Sequence, residues 1–367
     1  MKKPVFIFIA SILMFPLAAQ KNSYRLLIGT YTNTGKSLGI YSYDINMHND
    51  IFTQISVTKD VLNPSFLALT PDKKFVYSVC ESTNGSAANA FSFNEDNGKL
   101  TFLNTSQTKS NGPCYISATE NHVFTANYGG GSLSVFGRNA DGSLTDVLQM
   151  IQHVGKSINK ERQNVPHVHQ VIISPDKRYL LANDLGTDKV TVYQYNSTAA
   201  ANILTPFDTL SVKPGSGPRH SSFSKNGKRL YLLHEMDGTV SVIEMKNGKL
   251  RLIQETTVVT NDKVVIGAAD IHLSPDEKYL YATNRGTANN ITCFSVTKDG
   301  KLIFKQQVST GGNGPRNFAI SPDGQYVFIA HQLTDNIVIF KRDIKTGLLT
   351  NTGKYIEVGA PVCLLFY

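Results

Sequence analysis

The side chains best suited to chemistry in this sequence are histidines and arginines that stand in short motifs. His167 and His169 flank one valine, so in an extended strand both imidazoles point to the same face. Arg219 and Arg316 each follow a Gly-Pro pair, and Arg285 follows Thr-Asn. Imidazole readily transfers a proton near neutral pH, and guanidinium binds carboxylate or phosphate by paired hydrogen bonds. These residues predict a site that moves a proton on an anionic substrate.

A repeat runs through the chain and must position these residues. The segment that begins Ser174-Pro-Asp returns at Ser274 and at Ser321. A short element, usually Gly-Pro or Asn-Pro, stands upstream of each copy. Its markers are Pro64, Pro113, Pro166, Pro218, Ala269, Pro315 and Pro361, and they are spaced 46 to 53 residues apart. Seven markers spaced about fifty residues apart indicate a repeat architecture.

Each repeat unit has the pattern of four short strands. An apolar stretch follows the marker, then a Ser-Pro-Asp turn, two further strands and a hairpin signal such as Asn97-Gly98 or Asp141-Gly142. After Pro361 only one strand remains, and the segment near Arg25 matches the second strand of a unit. We therefore predict an all-β, seven-bladed β-propeller with four antiparallel strands per blade, closed by pairing of its N- and C-terminal strands.

Residues at one phase of the repeat are expected at one level around the central channel. The phase after the markers places His167, Arg219, Asp270 and Arg316 on one ring, with His169 and His272 two residues further on. The ends of the second strands give another ring, which is Glu81, Tyr128, Asp184, Glu235, Arg285 and Gln332. These polar rings are interpreted as a substrate pocket. The alternative is a water-filled channel whose polar lining closes hydrogen bonds between blades.

Charge and the first residues bear on location and partners. The chain has 36 Lys and Arg against 28 Asp and Glu, a net charge of +8 that is spread evenly, so nucleic-acid binding is not expected. Lys2 and Lys3, an apolar run and then small residues predict a signal peptide over residues 1–19, followed by the propeller over residues 20–367. The protein is expected to be exported, to the periplasm or the extracellular space, without a membrane anchor after removal of the leader. An uncleaved anchor is the alternative.

Metal and cofactor sites are not expected. The four cysteines, Cys80, Cys114, Cys293 and Cys363, lie far apart without a CxxC motif and are interpreted as small buried hydrophobic residues. The alternative is disulfide pairing in an exported protein, for which four cysteines allow three connectivities. The His-Val-His spacing also suits a metal pair, but neither cysteine nor a cluster of carboxylates accompanies it. No Gly-x-Ser-x-Gly motif of a serine hydrolase is present.

Several motifs together resemble the propeller-type lactonase family, which includes bacterial 6-phosphogluconolactonases and fungal carboxymuconate lactonizing enzymes. The matching segments are Asn127-Tyr-Gly-Gly130, Asn164-Val-Pro-His-Val-His-Gln-Val171, Asn183-Asp-Leu-Gly-Thr-Asp188, Gly217-Pro-Arg-His220, Thr283-Asn-Arg-Gly286 and Gly314-Pro-Arg-Asn317. The resemblance covers residues 24–367. Departures from the family pattern are His234 before Glu235, Asp270 in place of a longer glutamate, and Cys80 before Glu81.

The resemblance and the rings together imply roles for twelve residues. The expected catalytic residues are His167, His169, Arg219, Glu235 and Arg285. The expected substrate-binding residues are Asn127, Tyr128, Asp184, His220, Asp270, His272 and Arg316. One of the two histidines of the His-x-His strand is expected to be the general base, and the sequence does not decide which.

The expected function is hydrolysis of a sugar lactone, similar to 6-phosphogluconolactone, or of another small anionic lactone. The pentose-phosphate lactone is made in the cytoplasm, so an exported relative is expected to act on a different lactone. One alternative is a cycloisomerase that closes a muconate-like diacid. A second alternative is a non-catalytic extracytoplasmic binding propeller. The sequence predicts neither an oligomeric state nor a cofactor.

Overall fold

The computed structural model describes residues 23–367, which form strands, turns and loops without a helix. The predicted signal peptide, residues 1–19, lies outside the described residues. In chain order the strands are β1 (Ser23–Thr30), β2 (Gly39–Asn46), β3 (Ile51–Lys59), β4 (Leu67–Leu69), β5 (Phe75–Cys80), β6 (Ala87–Asn94), β7 (Lys99–Gln107), β8 (Pro113–Ala118), β9 (His122–Asn127), β10 (Ser132–Arg138), β11 (Leu144–Gln152), β12 (Val168–Ile173), β13 (Tyr179–Asp184), β14 (Lys189–Tyr195), β15 (Leu204–Ser211), β16 (Pro218–Phe223), β17 (Arg229–His234), β18 (Thr239–Lys246), β19 (Lys249–Thr257), β20 (Ala268–Leu273), β21 (Tyr279–Asn284), β22 (Asn290–Val296), β23 (Leu302–Ser309), β24 (Pro315–Ile320), β25 (Tyr326–His331), β26 (Asn336–Arg342), β27 (Leu349–Glu357) and β28 (Pro361–Phe366).

The strands form seven sheets of four antiparallel strands, one sheet for each blade. Six blades are continuous in sequence, from β4–β7 to β24–β27, and the remaining blade has the order β28-β1-β2-β3. In that blade Leu26 pairs with Phe366, and Ile28 pairs with Leu364. The C-terminal strand therefore closes the ring on the N-terminal strand, as the complementary ends of the sequence predict. The predicted fold class is confirmed.

The hydrophobic core lies between neighbouring blades. Seven apolar clusters fill the seven blade interfaces, and each draws buried side chains from two adjacent sheets. One of them packs Phe124 and Leu133 of one blade against Leu180 and Tyr193 of the next. The second strands are buried on both faces, whereas the outer strands such as β11 alternate between exposed and covered residues. Burial between sheets therefore stabilises the ring as a whole.

The Ser-Pro-Asp repeat forms the turn between the first and second strands. Ser174 Oγ donates a hydrogen bond to Asp176 Oδ1 at 2.6 Å and accepts one from the backbone N–H of Tyr179 at 3.0 Å. Ser274 and Ser321 make the same two contacts in their own blades. The repeated sequence thus fixes the length of the first strand, and so the level at which its other end meets the channel.

An irregularity at the start of the first strand of a blade changes which residues lie at the same depth along the channel. The first residue of this strand pairs with the last residue of the second strand. At least one residue of the first strand is then left unpaired before the pairing resumes. The unpaired residue is Cys114 in β8, His169 in β12, Arg219 in β16 and Arg316 in β24. A bulge of this kind redirects side chains.

This register corrects the predicted ring. Val168 pairs with Asp184 as Pro218 pairs with His234, so His169, and not His167, stands at the level of Arg219. In β20 the two unpaired residues are Ala269 and Asp270. Counting from the proline markers placed His167 beside Arg219 wrongly, because Pro166 lies two residues before β12 whereas Pro218 is the first residue of β16.

Residues 23–367 include no long, apolar helix of the kind that spans a membrane.

Candidate functional site

The candidate site lies at the end of the channel where the second strands terminate. Seven residues immediately follow these strands. The one after β13 is the buried, apolar Leu185, and the other six are Tyr31, Glu81, Tyr128, Glu235, Arg285 and Gln332. Five of these six belong to the predicted ring. Tyr31 is an addition, and Asp184 stands one position earlier because it is the last residue of β13. The ends of second strands therefore predicted most of this level correctly.

Glu235 is surrounded by three arginines. Its Oε2 atom accepts a hydrogen bond from Arg219 Nε at 2.9 Å and lies 3.1 Å from a terminal nitrogen of Arg285. Its Oε1 atom accepts a hydrogen bond from Arg162 at 2.7 Å. Burial raises the pKa of the Glu235 carboxyl, but the three guanidinium groups outweigh it and hold that pKa well below the usual range. Glu235 is therefore a fixed negative charge that positions arginines.

The arginines are held by the backbone as well. Arg219 is fully buried and donates to the carbonyl oxygen of Ala269, while Arg285 Nε donates to the carbonyl oxygen of Gly267 at 2.9 Å. Burial lowers the pKa of Arg285 to about 10, although Glu235 opposes this. Burial and the charge of Arg316 also lower the pKa of Arg219. Arg285 still carries its positive charge near neutral pH.

A fourth arginine, Arg316, lies near a second acid, Glu81. The guanidinium of Arg316 lies 5.4 Å from the centre of the Tyr31 ring, and the Tyr31 hydroxyl donates to Glu81 Oε2 at 2.8 Å. Burial lowers the pKa of Arg316, but Tyr31 and Glu81 raise it above its usual range. Four arginines, at positions 162, 219, 285 and 316, thus face two carboxylates. This excess of positive charge suits an anionic ligand.

His167 lies against Tyr128, and within residues 23–367 one of its ring nitrogens is free of hydrogen bonds. Its Nδ1 atom lies 2.9 Å from the backbone carbonyl oxygen of Tyr128. A carbonyl oxygen only accepts, so Nδ1 carries the hydrogen, and in the neutral ring Nε2 has the lone pair. The imidazole also stacks on the Tyr128 ring, with 4.5 Å between centroids and 19° between planes. The ring is thus fixed in orientation and in tautomer.

His169 has different surroundings although it is only two residues away. It is buried, its Nδ1 atom lies 3.8 Å from Cys114 Sγ, and its ring centroid lies 5.1 Å from that of His220. Burial, followed by the charge of Arg219, lowers the pKa of His169 well below 6.5. His169 is therefore neutral, and it contacts the Tyr128 ring edge-on at 5.5 Å.

Three of the predicted substrate-binding residues form a separate cluster around Asp270. His220 Nδ1 lies 2.8 Å from Asp270 Oδ1, and His272 Nε2 lies 2.8 Å from Asp270 Oδ2. Asn317 donates to the same Oδ2 at 2.6 Å. Burial raises the pKa of Asp270, but the two histidines outweigh it and hold it far below the usual range. Hydrogen bonds within this cluster occupy both carboxylate oxygens.

The last two predicted binding residues bond mainly within their own blades. Asn127 donates from its amide to the hydroxyls of Ser132 and Ser134. Asp184 Oδ1 accepts from the backbone N–H groups of His167, Gly186 and Thr187, and its Oδ2 lies 2.8 Å from His153 Nδ1. Asp184 therefore fixes the backbone that carries His167.

The sequence analysis missed Arg162 and His153. Both lie in the connection between β11 and β12, residues 153–167. Arg162 donates to the Tyr128 hydroxyl at 3.1 Å as well as to Glu235, and its side chain is 45% exposed. The available signal was the 53-residue step between Pro113 and Pro166, the longest between successive markers, which indicates inserted residues.

A cavity of about 490 Å³ opens beside the arginine cluster. Its lining residues are Asn159, Arg162, Glu235, Met236, Ile266, Gly267, Arg285, Gly286, Gly314, Gln332 and Leu333. Within residues 23–367, no group of three His, Cys, Asp or Glu side chains has the geometry to hold a metal ion. The four cysteines are buried and free, which agrees with their interpretation as small hydrophobic residues.

Comparison with known proteins places the chain in a family. Residues 25–366 match the family model described as lactonase, 7-bladed β-propeller. The 6-phosphogluconolactonase of Formosa agariphila is 36% identical over 350 residues, which are 93% of this chain and 99% of that protein. The 6-phosphogluconolactonase of Bacillus subtilis is 33% identical over 346 residues, 92% of this chain and 97% of that protein.

Solved structures agree with these relatives. The periplasmic gluconolactonase of Pseudomonas aeruginosa superimposes with a TM-score of 0.90 at 36% identity, covering 94% of this chain and 99% of that one. A Bacteroides fragilis protein provisionally named a 6-phosphogluconolactonase gives a TM-score of 0.91 at 41% identity, covering 95% and 99% of the two chains. The chain belongs to the lactonase family of seven-bladed β-propellers, which confirms the expected family and the expected enzyme class.

Proposed function

We propose that this protein hydrolyses a small anionic or sugar lactone, which the arginine cluster binds while His167 activates the attacking water. The observation that supports the proposal is that a histidine and the arginine cluster contact the same tyrosine. A histidine with a free Nε2 atom stacks on Tyr128, whose hydroxyl accepts a hydrogen bond from Arg162 of the arginine cluster. Proton transfer and anion binding thus become available within one site, as lactone opening requires.

In this proposal His167 is the general base. Its Nε2 atom takes a proton from water, and the oxygen of that water attacks the lactone carbonyl carbon. The ring C–O bond then breaks, and the imidazolium returns the proton to the leaving alkoxide. The product is an open-chain hydroxy acid. His169 is the weaker candidate because burial and Arg219 hold its pKa well below 6.5. Positioned proton transfer contributes about 10²–10⁴-fold in rate.

The arginines bind the charge that develops on the substrate. Arg219 and Arg285 are held against Glu235 and against backbone carbonyl groups, so little reorganisation is required during the reaction. Preorganised donors of this kind stabilise an oxyanion effectively in a site that excludes water. Arg316 and Arg162 add further positive charge. Glu235 thereby acts as a positioning residue for the arginines.

The names of the relatives indicate the substrate class. Two relatives are named for a phosphorylated sugar lactone and one for gluconolactone. The positive site accommodates either type, since hydroxyl, carboxylate and phosphate groups all accept hydrogen bonds from guanidinium. The cycloisomerase and the non-catalytic binding propeller find no support in these names. Export remains a prediction from residues 1–19, and an exported enzyme would encounter lactones outside the cytoplasm.

The experiment uses purified protein spanning residues 20–367 and a panel of sugar lactones, with and without a phosphate group. Acid release is followed in the presence and absence of chelator. The proposal expects chelator-resistant hydrolysis that is lost in Arg219→Ala and kept in Arg251→Ala, an exposed arginine of β19. Folded protein that hydrolyses no lactone of the panel would contradict the proposal.

A further inference from the structure

The cavity beside the arginine cluster has two chemically different walls. Arg162, Glu235 and Arg285 form a charged wall. Met236, Ile266 and Leu333 form an apolar wall, on the connections that follow β17 and β25 and precede β20. Ligand sites commonly combine apolar side chains with a few polar groups that fix the orientation of the ligand, so this lining suits a ligand with both an apolar and a charged part.

Leu333 is the most exposed of the three aliphatic residues. Its exposed fraction is 66%, so nothing within residues 23–367 covers most of its side chain. Met236 and Ile266 are only half-buried. Apolar surface of this kind gains free energy when a hydrocarbon group displaces the water from it, and a fully buried methylene strengthens binding about fourfold. The apolar wall is therefore available to a ligand.

Gly267 lines the cavity, and its position could carry a side chain without a clash. A Cβ atom at this position would lie 3.5 Å from its nearest neighbour, the backbone nitrogen of Gly286, which is an ordinary contact. Gly286 is different, because its φ is +64° and a Cβ there would lie 2.0 Å from the carbonyl oxygen of Val265. Backbone and packing thus demand glycine at 286 only. At 267 the absent side chain leaves volume in the cavity that this residue lines.

We infer that this cavity is a subsite for an aliphatic substituent of the substrate. The preferred lactone then carries a hydrocarbon chain close to its anionic or polar head, with the head on Arg162 and Arg285 and the chain on Leu333. This inference rests on the proposed function because both use the arginine cluster. It goes further by naming an amphiphilic substrate class that a sugar lactone does not represent.

The test measures binding and does not depend on catalysis. Isothermal titration calorimetry with the unbranched carboxylates acetate, butanoate, hexanoate and octanoate keeps the anionic head constant and lengthens the chain. We expect the affinity to rise about threefold for each added methylene up to the length that fills the cavity. In the Leu333→Ser variant the affinity should rise less with each added methylene. Leu38→Ser is the matched control, since Leu38 is also exposed, at 55%, but does not line the cavity.

A second variant guards against an indirect effect of Leu333. Gly267→Ala adds one methyl group without a clash, so its thermal unfolding should match that of the wild type. The inference expects it to weaken octanoate binding several-fold more than acetate binding. An affinity that does not change with chain length, or a series equally steep in Leu333→Ser, would overturn the subsite.

Catalysis separates this inference from the proposed function. With lactones that bear alkyl substituents of increasing length, we expect KM to fall as the chain grows. Hydrolysis without any chain-length preference would overturn the subsite and leave the lactonase proposal intact. Chain-dependent carboxylate binding in a protein that opens no lactone would support the subsite and contradict the proposed function.

Discussion

His167 and Tyr128 are joined twice, by a hydrogen bond from Nδ1 to the Tyr128 carbonyl oxygen at 2.9 Å and by ring stacking at 4.5 Å. The hydrogen bond selects the tautomer with a free Nε2 atom, and the stacking fixes the direction of that atom. Tyr128 also accepts a hydrogen bond from Arg162, which in turn donates to Glu235. The proposed base and the arginine cluster are therefore held as one unit.

Replacing Glu235 should destabilise the site because three arginines then lose their common partner. For Glu235→Gln we expect the free energy of unfolding to fall by about 3–5 kcal/mol, the usual effect of breaking a buried ion pair. Added sulfate should restore much of this loss, since an anion can replace the carboxylate. Thermal and urea unfolding measure both effects. Glu244→Gln, which breaks a surface pair with Arg251, is the control and should change stability far less, because solvent screens an exposed ion pair. Equal effects in the two variants would argue against the cluster.

Arg162 should contribute mainly to substrate binding. Its side chain is 45% exposed and comes from an inserted connection, so Arg162→Met is expected to fold normally. We expect KM for an anionic lactone to rise about tenfold, because a charge-assisted hydrogen bond is lost, with little change in kcat. Steady-state kinetics at two salt concentrations measure this. An unchanged KM would show that Arg162 serves the protein fold alone.

Asp184 should act on catalysis through the backbone of His167. Its Oδ1 atom accepts hydrogen bonds from His167, Gly186 and Thr187, so Asp184→Ala frees the segment that carries the base. We expect kcat to fall by about 10–100-fold with a smaller change in KM. Asp184→Asn keeps an acceptor oxygen and should recover part of kcat. If both variants lose the same activity, the positioning role is wrong.

Stability should decrease as the pH falls from about 6.5 towards 4. Burial lowers the pKa of His220, His234 and His331 to about 4 each, so these side chains stay neutral in the folded protein. The unfolded chain binds protons on them below a pKa of about 6.5, and each such proton costs about 1.4 kcal/mol of stability per pH unit in that window. His272, whose pKa is raised by Asp270 despite burial, opposes this in part.

His331 tests this pH dependence separately. Its ring is buried, and burial outweighs the hydrogen bonds with Asn336 and lowers its pKa to about 4. His331→Leu should therefore flatten the loss of stability between pH 6.5 and 4. Urea unfolding across that range is the measurement. A variant with the same pH slope as the wild type would rule out His331 as a contributor.

The repeat predicted the fold because each blade uses the same local signals. Gly-Pro or Asn-Pro markers, Ser-Pro-Asp turns and complementary end strands determine the number of strands and the closure of β1 on β28. The depth of each residue along the channel was harder to predict. A marker does not always begin its strand, so the ring of Arg219 was extended to His167 when His169 occupies that level. The residue that is left unpaired in the strand cannot be recognised from its amino-acid type.

The site was predicted where it follows the repeat and missed where it does not. Glu235 and Arg285 follow their second strands, and counting from the repeat was sufficient to find them. Tyr31 could have been found in the same way, since β1 had been recognised as a second strand. Arg162 lies in an insertion outside the repeat, so only the three-dimensional structure shows that it reaches Glu235.

We propose that His167, with its free Nε2 atom, is the general base. Its role is tested by comparing kcat of His167→Gln and His169→Gln on the lactone that the wild type opens best, with thermal unfolding of both variants as a check on folding. We expect a loss of about 10²–10⁴-fold in kcat for His167→Gln and a smaller loss for His169→Gln. Full activity in a folded His167→Gln protein, or a much larger loss in His169→Gln, would contradict this role of His167.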